Sequence, residues 1–216
     1  MSRVLVIGGH GKIALRLAPL LVARGDDVTS VFRNPDHEAE VAATGATPRV
    51  ADVEQLDTDG IRKLVRGHDA VVWSAGAGGG NPARTYAVDR DAATRSMDAA
   101  RAEGVARYVM VSYLGARTDH GVPEDSSFFA YAEAKAAADE HLRASGLDWT
   151  ILAPGPLTLD EPTGLIEVAD PGEGRVTRAD VAAVAAAVLA DDGTIGRTIA
   201  FGNGSTPIAE ALAQSD

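Results

Sequence analysis

Extended and helical patterns alternate along almost the whole chain, and nothing else in it constrains the fold as strongly. "RVLVIGG", from Arg3 to Gly9, is a continuous apolar run closed by glycines. A strand buried on both faces of a parallel sheet reads this way. "KIALRLAPLLVARG" follows, with Ile13, Leu17, Leu20 and Leu21 at helical spacing and Gly25 as a stop. "DVTSVFR", "TPRV", "DAVVWSAG", "ARYVMVS" and "LDWTILAP" supply further strands. Helical patterns separate them at 36–43, in "VEQLDTDGIRKLVRG", in "ARTYAVDRDAATRSMDAARAEG" and in "YAEAKAAADEHLRAS". Such succession predicts an α/β fold with a doubly wound parallel sheet of about seven strands and a ligand crevice at their C-terminal ends. The 216 residues suit a single domain spanning 1–216. After Pro154 the pattern thins, and residues 155–180 read as a loop-rich, substrate-side segment with one strand at 164–168. Thr177, with Asp180 three residues on, caps a helix in "VTRADVAAVAAAVLADDG". A strand "RTIAFGNG" and a terminal helix "PIAEALAQ" follow.

Charge and composition exclude several classes. A formal net charge of −11 argues against nucleic acid or an anionic membrane as partner, since both reward basic patches. The absence of cysteine excludes disulfides, thiolate zinc sites and cysteine nucleophiles. Acidic residues are abundant but lack metal-ligand spacing, so no metal is expected. "MSRVLVIGG" is too short an apolar run for a signal peptide, and "VAAVAAAVLA" is about half a membrane span. These readings predict a soluble, cytoplasmic protein, as monomer or homodimer, acting on a small molecule.

The first strand–helix turn, "GGHGKIA", spaces Gly8, Gly11 and Ala14 as G-x-x-G-x-x-A. Glycines there let backbone N–H groups approach a pyrophosphate, and the helix N-terminus adds partial positive charge. In this context the turn predicts a Rossmann-type dinucleotide site. Gly8, Gly9, His10, Gly11, Lys12 and Ile13 are therefore candidate cofactor contacts. Where NAD-binding chains carry Asp or Glu after the second strand, this one has Arg33, with no carboxylate until Asp36. A guanidinium matches a 2′-phosphate in charge and fork geometry, so NADP is expected over NAD.

Tyr131 and Lys135 lie one helical turn apart on one face. A cation there would lower the phenol's pKa and suit it to acid–base work. The chain has three lysines against seventeen arginines, and four tyrosines. Chance would place a lysine four residues after a tyrosine in about one such chain in twenty. Tyr86 and Tyr113 could line the same pocket. His120 reads as a loop histidine, and His37, His68 and His141 as surface residues.

Taken in order, "GGHGKIA", "FRN", "ADV", "WSAG", "YAVDRDAA", "RYVMVSYLGA", "YAEAK" and "LDWTILAPGPLT" resemble the atypical short-chain dehydrogenase/reductases. The closest likeness is to the small NAD(P)-binding group often labelled epimerases and related to the NmrA-like proteins. The resemblance covers nearly the whole chain. It implies that Asp52 and Val53 lie beside the adenine, that Ser74, Ala75 and Gly76 line the cofactor, and that Pro154 flanks the nicotinamide. It makes Ser112 the substrate-polarising serine, Tyr131 the proton donor, and Lys135 both its tuner and a ribose contact. Better-known branches have Asn where Asp89 stands here, and a carboxylate at that place would offset the charge of Lys135. The implied activity is an NADP-dependent oxidoreductase acting on a small carbonyl or quinone-like substrate. The alternative is a non-catalytic NADP(H)-binding redox sensor of NmrA-like type. Extended relatives that epimerise nucleotide sugars carry a large C-terminal substrate domain, whereas only about sixty residues follow Pro154.

Overall fold

A computed structural model describes residues 1–168 and 174–213. Residues 169–173 of the expected substrate-side loop and Gln214 of the expected terminal helix lie outside the described residues. The strands are β1 (Arg3–Ile7), β2 (Asp27–Phe32), β3 (Thr47–Val50), β4 (Ala70–Trp73), β5 (Arg107–Val111), β6 (Asp148–Pro154), β7 (Leu157–Thr158), β8 (Leu165–Val168), β9 (Val176–Thr177), β10 (Arg197–Asn203) and β11 (Thr206–Pro207). Nine of them form one sheet in the order β11-β8-β10-β6-β5-β4-β1-β2-β3. From β3 to β10 every pairing is parallel, which accounts for the seven strands expected. The expected strand at 164–168 is β8. It joins this sheet antiparallel to β10, and β11 pairs antiparallel with β8. β7 and β9 form a separate parallel pair. The outermost strands, β3 and β11, each contain a proline, Pro48 and Pro207.

The helices are α1 (Ala14–Ala23), α2 (Glu38–Ala42), α3 (Thr58–Val65), α4 (Pro82–Thr85), α5 (Ala93–Ala102), α6 (Phe129–Ala144), α7 (Arg178–Leu189) and α8 (Ile208–Ala213). β1 shows why both faces of the sheet need cover. Val4 and Val6 pack with α1 and α7, whereas Leu5 and Ile7 pack with α3, α5 and α6. Alternating side chains thus feed two apolar clusters. Local signals set the ends. After α1, the N–H of Gly25 bonds Val22 and that of Asp26 bonds Leu21, a Schellman ending with Gly25 at φ 92°. Asp57 caps α3 by accepting from the Gly60 N–H at 2.7 Å, so the helix begins later than its apolar pattern suggested. Thr177 caps α7 as expected, accepting from Asp180 N. The Asp180 carboxylate also takes the N–H groups of Thr163 and Gly164, which ties the segment before β8 to the start of α7.

One element departs from its pattern. The long helix expected around "YAVDRDAA" runs as α4, then a π-helical stretch Tyr86–Ala92, then α5. Wide turns of this kind re-aim side chains and recur at functional sites. Asp89 sits inside this one.

Candidate functional site

The strand order reverses between β1 and β4, and the chain turns away from the C-terminal ends of both strands there. This is the switch point at which such sheets bind ligands. A cleft of about 370 Å³ opens at that place. Glycine builds its floor. Gly8 has φ 91°, and a Cβ on it would lie 2.5 Å from the backbone nitrogen of Ala75. A Cβ on Gly9 would lie 2.6 Å from Cβ of Ser30. Both approaches are closed to any side chain.

Of the residues expected to touch cofactor, Gly8, His10, Gly11, Arg33, Asp52, Val53, Ser74, Ala75 and Gly76 line this cleft. The others do not. Gly9 faces β2, donating its N–H to Val31 O at 2.7 Å. Lys12 is exposed on the turn into α1, and Ile13 is buried in the core beside α1. Pro154 is buried at the end of β6, where its carbonyl accepts from Leu114 N. Arg33 is half exposed, and its guanidinium lies 3.9 Å from Glu54. Glu54 is held more closely by Arg84 at 2.9 Å, and Arg84 also donates to Ala77 O. Glu54, Arg84, Asn34 and His37 line the cleft although the motifs did not mark them. Glu54 directly follows "ADV", the one hint available. The glycine cradle and a guanidinium with no short ion pair among the described residues fit a dinucleotide phosphate.

The expected catalytic residues gather on and around α6, behind Gly76, and Asp89, Ser112, Tyr131 and Lys135 do not themselves line the cleft. A Cβ on Gly76 would meet Asp89 Oδ1 at 3.1 Å. Asp89 is buried, and its Oδ2 accepts from Ala77 N at 2.9 Å. The carboxylate therefore fixes the loop after β4. Burial pushes its pKa up, against the pull of that hydrogen bond, Lys135 and Arg84.

Lys135 is 1% exposed. Its Nζ donates to Val111 O at 2.9 Å and lies 3.1 Å from Met110 Sδ, so the ammonium is anchored to β5 rather than offered to the cleft. Burial lowers its pKa, opposed by Asp139 and Asp89. The expectation that Lys135 depresses the Tyr131 phenol is overturned. Burial raises the phenol, and Asp89, Asp139 and Tyr113 add to the rise. Burial first, and then the two carboxylates, outweigh one cation that spends two of its three donors on β5. Tyr131 packs against Tyr113 and Phe128, with ring centroids 5.4 and 5.3 Å away.

Ser112, at the end of β5, donates to Asp139 Oδ2 at 2.5 Å. Asp139 is fully buried and was not singled out from the sequence. Its signal was present, since Tyr131, Lys135 and Asp139 stand four apart on one helical face. His120 is also corrected. Its side chain is only 5% exposed, with Nε2 2.8 Å from Glu133, and Nδ1 accepts from Val122 N. It locks its own loop. Tyr86 carries the Arg90 guanidinium over its ring at 4.8 Å. His10 stacks on His37 at 3.5 Å and lies 2.7 Å from Glu40. The fold thus joins three ligand-capable side chains that linear spacing left apart.

Comparison with known proteins bears on these residues. A family described as NAD(P)H-binding matches residues 8–192. The uncharacterized sugar epimerase YhfK of Bacillus subtilis is 35% identical over 213 residues, covering 97% of this chain and 98% of its own. A Bacillus halodurans structure described as an NAD-dependent epimerase/dehydratase superposes with a TM-score of 0.91 at 34% identity, covering 99% of this chain and 100% of its own. The oxidoreductase ylbE of Lactococcus lactis gives 0.88 at 27% identity, covering 99% and 96%.

Proposed function

The chain belongs to the NAD(P)H-binding family, an oxidoreductase-like group, and from that membership we propose that it is an NADP-dependent reductase of a small carbonyl or quinone-like compound. One observation carries the reading. The cleft runs from Arg33 to Gly76, and Gly76 abuts Asp89, whose charge is felt at Tyr131 and Lys135. Gly76 is thus the link between the glycine-lined cleft and the buried acid–base cluster behind it. In this reading residues 1–216 act as one domain, residues 155–180 border the substrate, and the protein works in the cytoplasm as monomer or homodimer. Among the described residues no helix is long and apolar enough to cross a membrane.

When bound, the nicotinamide supplies hydride. The chain supplies the rest. Gly8 and Gly11, whose own N–H groups bond Val31 and Gly8, would leave room for the pyrophosphate by lacking side chains, and Arg33 would pair with the 2′-phosphate in place of its long contact to Glu54. Tyr131 keeps its proton at neutral pH because burial and two carboxylates disfavour the phenolate. It therefore carries the proton a substrate oxygen would need, but the same surroundings make it a weaker acid, and the phenolate that would serve as base in the reverse reaction is scarcely populated. Lys135 acts through its charge, from its anchor on Val111. The relatives' names point to epimerase chemistry.

The test is titration with NADPH and NADH, then a carbonyl and quinone panel followed by loss of NADPH absorbance. Arg33→Ala is expected to weaken NADPH by about 10-fold or more and leave NADH unchanged. Tyr131→Phe is expected to abolish turnover at unchanged cofactor affinity. Equal binding of both cofactors removes the role given to Arg33. The tethered ammonium of Lys135 favours a second reading, a non-catalytic NADP(H)-binding regulator. Tight NADPH binding with no turnover across the panel selects it.

A further inference from the structure

The proton of Ser112 is already committed. A serine hydroxyl has one proton, and this one points at Asp139 Oδ2. While it does, Ser112 offers the site only lone pairs and cannot donate to a substrate oxygen. Asp139 is 0% exposed and Ser112 4%, so the pair sits in the interior. The other carboxylate oxygen, Oδ1, finds no hydrogen-bond partner among the described residues. Lys135, one turn away on α6, directs two of its three donors to Val111 and Met110, and none reaches Oδ1. A charged carboxylate with an unpaired oxygen in the interior is costly. A carboxylic acid there is far less so, because it is uncharged and brings its own donor.

We propose that Asp139 is a positioning residue that sets the polarity of Ser112. As the acid, Asp139 donates to Ser112 Oγ and frees the serine hydroxyl to donate into the site. As the carboxylate, it takes that hydroxyl and leaves Ser112 an acceptor. Between the two states one proton is exchanged with solvent: it forms an O–H bond on Asp139 to give the acid and leaves again to give the carboxylate, while the Ser112 proton stays on Oγ and only turns. The inference rests on the reductase reading, in which Ser112 takes the substrate-polarising role that the family resemblance implies. The groups that bear on Asp139 are Lys135, Arg143 and Tyr131 on α6, with Ser112 and Tyr113 after β5, and Asp89 lies beyond Lys135 on the π-helical stretch. Burial favours the acid, and Lys135, the Ser112 hydrogen bond and Arg143 oppose it.

The first experiment needs no substrate. Carboxyl carbon NMR of aspartate-labelled protein, with Asp139→Asn to assign the signal, is followed from about pH 4 to pH 9. The Asp139 resonance is expected to titrate above the ordinary aspartate range and to move in Ser112→Ala. A resonance ionised throughout overturns the proposal, whatever the fate of the reductase reading. The second uses NADPH and 1,4-naphthoquinone. In Asp139→Asn the amide nitrogen donates to Ser112 at every pH, so kcat is expected to stay within about 3-fold and to lose its fall on the alkaline side. Asp139→Leu, which cannot donate, is expected to lower kcat by about 10-fold or more with KM for NADPH unchanged. Identical pH profiles for the parent and Asp139→Asn overturn the proposal. If the leucine variant does not fold, the NMR titration and the asparagine profile still decide.

Discussion

In the cleft between β1 and β4 the decisive atoms belong to the backbone, and side chains matter by their absence. On α6 the decisive atoms are side-chain termini, enclosed and mutually charged. Gly8 and Gly9 could carry nothing larger without colliding with Ala75 and Ser30. Lys135 and Asp139, by contrast, are nearly or wholly shut off from water, and every pKa in their cluster is shifted first by burial. A backbone site is specified locally, by residues adjacent in sequence. A side-chain site is specified by packing, so each member's behaviour depends on all the others. Breaking one glycine should therefore damage structure, whereas altering one member of the α6 cluster should redistribute charge.

The largest effect expected is from Gly8→Val. A β-branched residue at φ 91°, with its Cβ 2.5 Å from Ala75 N, forces the ends of β1 and β4 apart. A loss on the order of 4 kcal/mol is expected, read as a fall of about 10 °C in Tm together with loss of NADPH binding. Lys135→Met comes next. The stem volume is kept, but the Val111 carbonyl loses its donor, at a cost of about 2 kcal/mol in chemical denaturation. An unchanged midpoint would show that the anchor is incidental.

How much of this could be read in advance follows the same division. "GGHGKIA" marked the glycine cradle because its requirement is local, and nine of the expected cofactor contacts line the cleft. Seven parallel strands were legible from short apolar runs, since both faces of such a sheet are covered. The π-helical turn at Tyr86–Ala92 was not legible, because its residues keep an ordinary helical composition and differ only in register. The Tyr131–Lys135 pair was visible as spacing. Its electrostatics were not, since they depend on Asp139 and on where Lys135 directs its donors. His120 read as exposed because nothing in its loop announced Glu133 as a partner.

Two pH effects sharpen the contrast further. Burial raises the Asp89 carboxyl above its ordinary range. The folded state then holds a proton the unfolded chain gives up, and stability declines as pH rises above the ordinary aspartate value. Asp89→Asn, which can still accept from Ala77, is expected to gain stability over the parent progressively across that rise. A constant difference between the two would place the carboxyl in its ordinary range. The smallest effect belongs to the rim between α3 and α5. Arg66 and Arg62 hold the Glu103 carboxyl down to about 2. Its sign is opposite: the contribution is present above the ordinary glutamate value and is lost as pH falls towards 2. Glu103→Gln is expected to flatten the acid limb slightly and leave the denaturation midpoint at neutral pH nearly unchanged.

The prolines at the two margins of the sheet bear on how copies of this chain can meet. β3 has four residues and β11 two, and Pro48 and Pro207 each withdraw one amide donor. Edges so short and interrupted are poor templates for strand addition. Assembly by lengthening the sheet is thereby disfavoured, and any dimer is left to helix faces and loops, where contact can form without tying the sheet into a growing ribbon.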